Sequence, residues 1–386
     1  MQRFEALDSW RGVCALLVVV FHLNQDINWR LLDVDFVRNF DRFVDFFFVL
    51  SGFVIAATYE ERLKQGYGVV PFALRRFGRI YPLHLAMLAA MFVVAVWRVL
   101  LPLCEFNPRN IFNGGIFDFT ATFTNVLLLQ GIGFENHLTW NYPSWSISTE
   151  FYTYLIFALI WALAARWANA LTIAIALLCP IVLLLFDTPS LSVLSLVQCV
   201  YGFAAGVLVH HVYRRVGPSL LSGRGAIAEL AALGFGAAFI AFTDTPLWAA
   251  PIVFGIVVFV FAFEAGPLTR LLRTGPLTAL GTLSYSIYMV HAVLIFFAWR
   301  ILSMLEGQFG WTTTVPHPNG SGGHLFGASQ AIGDLAMFAM LALVIATSAA
   351  TYALIEKPGR AWGQDASKRW RAGGWAAVFA QRATAG

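Results

Sequence analysis

Ten runs of mostly apolar residues constrain this chain more than any other feature of its sequence. A helix needs roughly 20 apolar residues to cross a bilayer. Of the 386 residues, 59% are apolar and 12% are charged, whereas a soluble domain is roughly half apolar and about a quarter charged. The sequence therefore predicts an all-α, polytopic membrane protein with about ten transmembrane helices. The predicted spans cover residues 9–23, 43–59, 79–100, 150–165, 170–186, 194–211, 227–242, 247–264, 279–300 and 333–355.

The basic residues predict how these spans are oriented, because cytoplasmic segments of membrane proteins are enriched in Lys and Arg. With a cytoplasmic N-terminus, 19 of the 25 basic residues fall on the cytoplasmic side and six on the other side. We therefore expect both termini in the cytoplasm. Residues 1–360 are predicted to form one membrane domain, followed by a short basic tail over 361–386. The first span lacks an A-x-A cleavage site and is predicted to be a retained helix rather than a signal peptide. The six external basic residues are Arg30, Arg38, Arg42, Arg98, Arg109 and Arg300.

Several chemistries find no support in the sequence. No dense Lys/Arg block is interleaved with aromatic residues, so nucleic acid is not an expected partner. The cysteines Cys14, Cys104, Cys179 and Cys199 form no CxxC pair and are interpreted as free thiols. The eight histidines show no HxxxH or HExxH spacing, so no metal site is predicted. A structural role is expected for His84, His137, His210, His211, His317 and His324.

Ionisable residues inside the first span suggest a site, because charge within a bilayer is costly and usually functional. Arg11 and His22 are 11 residues apart, which places them on one helix face about 16 Å apart along the axis. Asp8 lies one turn before Arg11. The alternative is a structural Asp8–Arg11 pair and a histidine satisfied by a neighbouring helix. We favour a functional His22, since imidazole can act as a base near neutral pH.

Two further segments carry candidate residues with open alternatives. In DFFFVLSGF, Asp45 could cap the helix or orient a histidine, and Ser51–Gly52 could serve helix packing. The cluster RRFGRIYP stands immediately before the third predicted span. Its Arg75, Arg76 and Arg79 could bind a polyanion through forked hydrogen bonds, or they could be a topology signal attracted to anionic lipid.

The fourth and ninth spans complete the candidate set. Glu150 in PSWSISTEFYTYL has no basic neighbour in sequence, so it needs a partner across the bundle. Ser146 or Ser148 would cap this helix better than Glu150 would. Further polar candidates are Tyr152 in the same segment and the stripe Ser284, Tyr288 and His291 in the ninth span. Glu356, in IEKPGR, is expected to end the last helix in an interfacial ion pair.

Taken in order, these segments resemble the acyltransferase-3 family of bacterial integral membrane O-acyltransferases. The resemblance rests on six blocks between about residues 3 and 360. In the first block a basic residue, ten intervening residues and a histidine match Arg11 and His22. The blocks are FEALDSWRGVCALLVVVFH, DFFFVLSGFVI, RRFGRIYPLH, WSISTEFYTYL, LGTLSYSIYMVH and EKP.

The resemblance implies an enzyme of the bacterial inner membrane that transfers an acyl group, most often acetyl, from cytoplasmic acyl-CoA. The implied acceptor is a hydroxyl of a surface glycan or its lipid-linked precursor. Arg11, His22, the Arg76–Arg79 pair and Glu150 match functional positions of the family. On this interpretation the arginines hold the donor phosphates and His22 acts as base. Glu150 or Asp45 orients the imidazole, and an acyl-histidine intermediate is the variant mechanism.

Other functions remain possible at this stage. Some relatives esterify macrolides, so a small-molecule acceptor is an alternative. A secondary transporter would also place ionisable groups at membrane depth, although no repeat relates residues 1–190 to 191–386. A flippase related to the family is a third possibility. Relatives that modify peptidoglycan carry a C-terminal SGNH-type domain, whereas a short basic tail is predicted here, so a peptidoglycan role of that kind is not expected. The sequence does not indicate an oligomeric state.

Overall fold

The described part of the chain is almost entirely helical. It is a computed structural model that describes residues 3–32, 34–100, 119–186, 193–217, 219–242, 246–318 and 323–379. Cys104, Arg109 and Arg382 lie outside these residues. The helices are α1 (Glu5–Asn24), α2 (Asp35–Arg38), α3 (Phe43–Lys64), α4 (Val69–Leu100), α5 (Phe119–Val126), α6 (Ser144–Leu163), α7 (Ala168–Leu185), α8 (Val193–Val216), α9 (Gly225–Ala241), α10 (Ala250–Ala262), α11 (Pro267–Leu272), α12 (Gly275–Phe309), α13 (Gln330–Thr351) and α14 (Lys357–Phe379).

Seven of the described helical segments are long and apolar enough to cross a membrane. They correspond to α1, α4, α6, α7, α8, α12 and the continuous segment from α13 to α14. The remaining three predicted spans form α3, α9 and α10, of which α9 and α10 have only 17 and 13 residues. The predominantly helical fold with several candidate spans is thus confirmed, while the count of ten spans and the cytoplasmic termini stay predictions.

Two short strands interrupt the helical architecture between α12 and α13. Strands β1 (Thr314–Pro316) and β2 (His324–Phe326) pair antiparallel, with Thr314 opposite Phe326. The backbone of Phe326 donates to the carbonyl of Asp26, 2.8 Å away. This hairpin therefore packs beside the end of α1 that carries His22.

Helices α1 and α12 approach each other closely at the centre of the bundle. A Cβ atom at Gly12 would collide with the backbone of Leu280 and Gly281, and one at Gly281 would collide with the backbone of Asp8. Glycine at both positions permits an approach that any larger residue would prevent. The contact fixes α1 against α12, so His22 and His291 lie side by side.

The predicted packing role of the Ser51–Gly52 pair is confirmed for its glycine. Gly52 lies against the backbone of Phe203 on α8, and Gly206 of α8 lies against the backbone of Val49. Neither site has room for a Cβ atom. Because Gly52 turns toward α8, its neighbour Ser51 points elsewhere, and its hydroxyl donates to Glu150.

Two helix boundaries differ from the sequence prediction. Helix α4 begins at Val69, so the arginine cluster lies within its first turns and not before it. The last span does not end at Glu356. A π-helical segment, Tyr352–Glu356, joins α13 to α14 without a break. Helix α14 then packs on α4, where Gly363 touches Gly78. An interfacial helix end was wrongly expected, because tertiary packing on α4 continues the helix.

Candidate active site

His22 lines a cavity of about 270 Å³ at the end of the bundle where α1 ends and α3 and α6 begin. Polar and aromatic side chains share this cavity, which we call the histidine cavity. It is lined by Val18, Phe21, His22, Asp41, Arg42, Val44, Asp45, Leu138, Tyr142, Pro143, Trp145, Gln198, Leu247 and Tyr288. Such a mixture of apolar walls and a few polar groups is typical of a small-molecule site.

The imidazole of His22 is held between two other rings. It stacks on His291 of α12 with 5.1 Å between centroids and 22° between planes. The ring of Tyr142 lies 4.7 Å away. The side-chain amide of Asn141 donates to the carbonyl of Met289 at 3.1 Å, which ties the segment before α6 to α12. Since His291 is fully buried, His22 faces the interior of the bundle.

Asp45 is the buried carboxylate of the histidine cavity. Its side chain is 2% exposed, and the amide of Gln198 on α8 donates to it at 2.8 Å. The capping alternative is not supported, because no side chain caps the start of α3. The structure thus brings Asp45 to the same cavity as His22, whereas Glu150 does not line it.

One face of α6 carries three polar residues at four-residue spacing, which places them in a row along the helix. The Ser146 hydroxyl bonds to the Tyr288 hydroxyl at 2.8 Å. Glu150 accepts from Ser51 and from Tyr154, the latter at 2.5 Å. This row connects the histidine cavity, through Tyr288, to groups deeper in the bundle.

Ser146 and Ser148, which would be better capping residues than Glu150, lie inside α6. The helix begins at Ser144, and no side chain caps its N-terminus. The Ser148 hydroxyl donates to the carbonyl of Leu128 and accepts from the backbone amide of Gly131. These bonds hold the segment before α6 against the helix, so the serines position the loop.

Arg11, Arg79, Glu150 and Glu356 form an electrostatic cluster at the opposite end of the row. The Arg79 guanidinium lies within electrostatic range of the carboxylates of Glu356 and Glu150. Arg11 interacts with Arg79, Asp8 and Glu150. Asp8 and Arg11 form the predicted pair, with 3.9 Å between carboxylate and guanidinium. We call this group the inner cluster.

Glu356 belongs to the interior, which corrects the interfacial role expected for it. It is 1% exposed, accepts a hydrogen bond from Ser286 at 2.9 Å and lies 3.7 Å from the Arg360 guanidinium. A carboxylate at this depth requires charged or hydrogen-bonding partners. The π-helical segment that ends at Glu356 changes the phase of the last helix at this point.

The three arginines of RRFGR do not act as one group in the structure. Arg79 joins the inner cluster. Arg76 lies over the rings of Tyr59 and Tyr154, at 5.2 and 5.7 Å from their centroids. Arg75 instead lines a separate cavity. This cavity lies at the end of the bundle that holds the inner cluster, which we call the arginine-rich end. Both Arg76 and Arg79 lie on α4, because this helix begins at Val69.

Two predicted polar candidates lie apart from these groups. The Tyr152 hydroxyl donates to the carbonyl of Leu127 at 3.2 Å on the exposed side of α6. Ser284 is buried on α12, two turns before His291. Neither lines the histidine cavity.

Sequence reasoning missed Tyr154 and Gln198, although both left a signal. Tyr154 is four residues after Glu150, so it must share a helix face with that carboxylate. Gln198 is a polar residue inside an apolar span, the same feature that singled out His22. Tyr142 stands outside any predicted span and gave no comparable signal.

Within the described residues, one group has side chains close enough to hold a metal ion, namely Glu60, His210 and His211. The Glu60 carboxylate already bonds to His211 at 2.7 Å and to Lys64 at 2.8 Å. Because a lysine ammonium neutralises the carboxylate, we interpret the group as a structural ion pair at the arginine-rich end. Cys14, Cys179 and Cys199 are free thiols, as predicted.

The helical bundle has several candidate membrane spans and encloses an imidazole, carboxylates and guanidinium groups. These features are typical of an enzyme embedded in the membrane. The chain belongs to the acyltransferase-3 family, whose acyltransferase domain matches residues 4–357. The protein is thus a multi-pass membrane acyltransferase, and the transporter interpretation is set aside.

Two curated proteins are similar to this chain, and one of them is named as an acyltransferase. The chain is 26% identical over 393 residues to acyltransferase MdmB of Streptomyces mycarofaciens, a match that covers 92% of this chain and 91% of that protein. It is 30% identical over 181 residues to protein 2 in picA locus of Rhizobium radiobacter, covering 45% of this chain and 91% of that protein. No solved structure matches the chain.

Proposed function

We propose that this acyltransferase moves an acyl group, in the first instance acetyl, from cytoplasmic acyl-CoA to a hydroxyl of a surface or exported glycan or its lipid-linked precursor. The bacterial cytoplasmic membrane is the proposed location. One observation carries the proposal. His22 lines the histidine cavity, from which the row of polar side chains on α6 leads toward the inner cluster of Arg11 and Arg79.

The histidine cavity supports a polyhydroxylated acceptor. Asp41, Asp45 and Gln198 offer carboxylate and amide groups that can bond to hydroxyls. Trp145 and Tyr142 offer aromatic faces for the apolar side of a ring. A volume of about 270 Å³ suits one small group of an acceptor, with the rest of the acceptor outside the cavity.

In the proposed step His22 acts as general base. Its imidazole takes the proton of the acceptor hydroxyl as that oxygen attacks the carbonyl carbon of the thioester. The new C–O bond forms, the C–S bond breaks, and the coenzyme A sulfur leaves as thiolate. The imidazolium then returns the proton to that sulfur, so His22 is restored.

The arrangement assigns different proposed roles to the two candidate carboxylates. Asp45 shares the histidine cavity with His22 and can stabilise the imidazolium that forms there. Glu150 bonds to Ser51 and Tyr154 beside the arginines, which suits the orientation of the donor arm. In this scheme Arg11 and Arg79 stabilise the inner end of the acyl-CoA path.

The proposal is tested with purified full-length protein in lipid nanodiscs, radiolabelled acetyl-CoA and glycan from the producing bacterium. His22→Ala should reduce glycan labelling at least a hundredfold, since general bases contribute roughly 10² to 10⁴ in rate. His317→Ala serves as control, because His317 follows β1 and does not line the histidine cavity.

The outcomes separate the possible functions. Unchanged labelling by His22→Ala would remove the centre of the mechanism. Label retained on the protein, and lost in His22→Ala, would identify an acyl-histidine intermediate. Mass spectrometry of surface polysaccharide from a deletion strain should show a missing ester. Esterification of a macrolide, with glycan unmodified, would instead identify a small-molecule acceptor.

A further inference from the structure

A second polar cavity, of about 370 Å³, lies at the arginine-rich end of the molecule, and we call it the basic pocket. Four of its seven lining residues are cations and none is a carboxylate. In the part of the chain that the structure describes, none of these four cations forms an ion pair. The lining residues are Arg62, Gln65, Tyr67, Arg75, Ser367, Lys368 and Arg371.

Three separate parts of the chain build the basic pocket, so it depends on the tertiary fold. Arg62 lies in the last turn of α3, Arg75 lies in the first turns of α4, and Lys368 and Arg371 belong to α14. Tyr67 joins them. Its hydroxyl bonds to the buried Ser367 at 3.0 Å, and the Arg371 guanidinium lies 5.1 Å from its ring centroid.

Four uncompensated cations around one concavity indicate a multiply charged anion as ligand. Guanidinium groups match phosphate oxygens through paired hydrogen bonds, and a lysine ammonium adds a point charge. The hydroxyls of Tyr67 and Ser367 and the amide of Gln65 supply neutral donors beside these charges. The chemistry of the pocket therefore fits phosphate mono- or diesters.

Contacts lead from the basic pocket to the inner end of the polar row. Tyr67 packs on Tyr59 with 5.9 Å between centroids. Arg76 covers Tyr59 and also Tyr154, whose hydroxyl bonds to Glu150 at 2.5 Å. These contacts place the basic pocket next to Arg76, and so beside the inner end of the polar row.

We propose that the basic pocket binds the phosphate groups at the nucleotide end of the acyl-CoA donor, with Lys368 and Arg371 of α14 as phosphate ligands. This inference rests on the proposed use of acyl-CoA. It gives a role to α14, nearly all of which lies beyond the matched residues 4–357.

The test measures equilibrium binding of adenosine 3′,5′-bisphosphate and of acetyl-CoA to the full-length protein in phosphatidylcholine nanodiscs. Arg371→Gln and Lys368→Gln should each weaken binding of both probes roughly three- to tenfold, as expected for loss of one charge-assisted contact. Arg369→Gln is the matched control. It removes one charge from the same helix, but Arg369 pairs with Asp365 at 2.9 Å and does not line the pocket.

Every outcome either supports or overturns the inference. Binding that weakens in Arg371→Gln and Lys368→Gln, but not in Arg369→Gln, supports it even if no acceptor is acylated, so failure of the proposed function is distinguishable. Equal weakening in all three variants would indicate a general surface charge and overturn it. Unchanged binding would also overturn it. In nanodiscs that contain phosphatidylglycerol, loss of probe binding to the wild-type protein would identify a lipid headgroup as the ligand of the pocket and overturn the inference too.

Discussion

Tyr154 shows how a single hydroxyl organises the interior of this acyltransferase. It donates to Glu150 at 2.5 Å while Arg76 covers its ring at 5.7 Å. A phenol in this position fixes the carboxylate and connects it to the arginines. We therefore regard Tyr154 as a positioning residue that acts through Glu150.

Tyr154→Phe is expected to lower kcat about tenfold, because a hydrogen bond to a charged group contributes roughly 1.5–3 kcal/mol. KM for the glycan acceptor should stay unchanged, since Tyr154 does not line the histidine cavity. Tyr152→Phe is the matched control, and its hydroxyl points to Leu127 on the exposed side of α6. Equal kcat values for both variants would contradict the role of Tyr154.

At the residue scale, the sequence selected candidate site residues well. It predicted less well which of these side chains lie in contact with one another. The hydropathy argument selected His22, Asp45 and Glu150, all of which face the interior. It could not decide which carboxylate shares a cavity with His22, because that depends on the packing of α3 and α6. It also placed Glu356 at an interface, since an acidic residue followed by Lys-Pro is typical of a helix end.

Helix–helix contacts in this protein depend on glycine at a few positions. Between α1 and α12, Gly12 and Gly281 leave no room for a Cβ atom. Between α3 and α8, Gly52 and Gly206 do the same. The Gly12–Gly281 contact brings the backbones of α1 and α12 together, so it determines the distance between their histidine-bearing faces.

Gly12→Ala is expected to destabilise the protein by about 1–3 kcal/mol, because an added methyl group would overpack the α1–α12 contact. Gly234→Ala on α9 is the control, since nothing lies within 4 Å of a Cβ atom there. That variant should be neutral or more stable by up to about 1 kcal/mol, given the helix propensity of alanine. Thermal unfolding in detergent measures both changes. A midpoint for Gly12→Ala equal to that of the wild type would contradict the close contact.

At the scale of the helices, the sequence predicted most helices but not the residues at which they begin and end. Apolar runs located the long apolar helices of the described chain because the bilayer imposes their length. Helix α4 starts ten residues before its predicted span, and α14 extends the last one, because both continue outside the apolar region by packing on each other. A hydropathy argument contains no information about such polar helix extensions.

Across the whole molecule, charge and polarity divide the bundle into two ends. The arginine-rich end holds the inner cluster, the basic pocket and α14. The other end holds the histidine cavity and the β1–β2 hairpin. The distribution of Lys and Arg predicts that the first end faces the cytoplasm.

Labelling with a membrane-impermeant maleimide tests this orientation in a background whose four native cysteines are replaced by alanine. Gln308→Cys, at the exposed end of α12 near the hairpin, should react in intact cells. Gln364→Cys, on the exposed side of α14, should react only after the membrane is permeabilised. Both residues are exposed glutamines, so each controls for the other. The reverse pattern would invert the predicted topology.

The π-helical segment Tyr352–Glu356 has a consequence for how such a protein can vary. A π segment amounts to one extra residue in an α-helix, and each residue turns the helix by about 100°. The segment therefore sets the rotational register between the membrane part of the last helix and α14. A single deletion there would rotate Arg371 away from Tyr67, so the length of this stretch is constrained independently of its residue types.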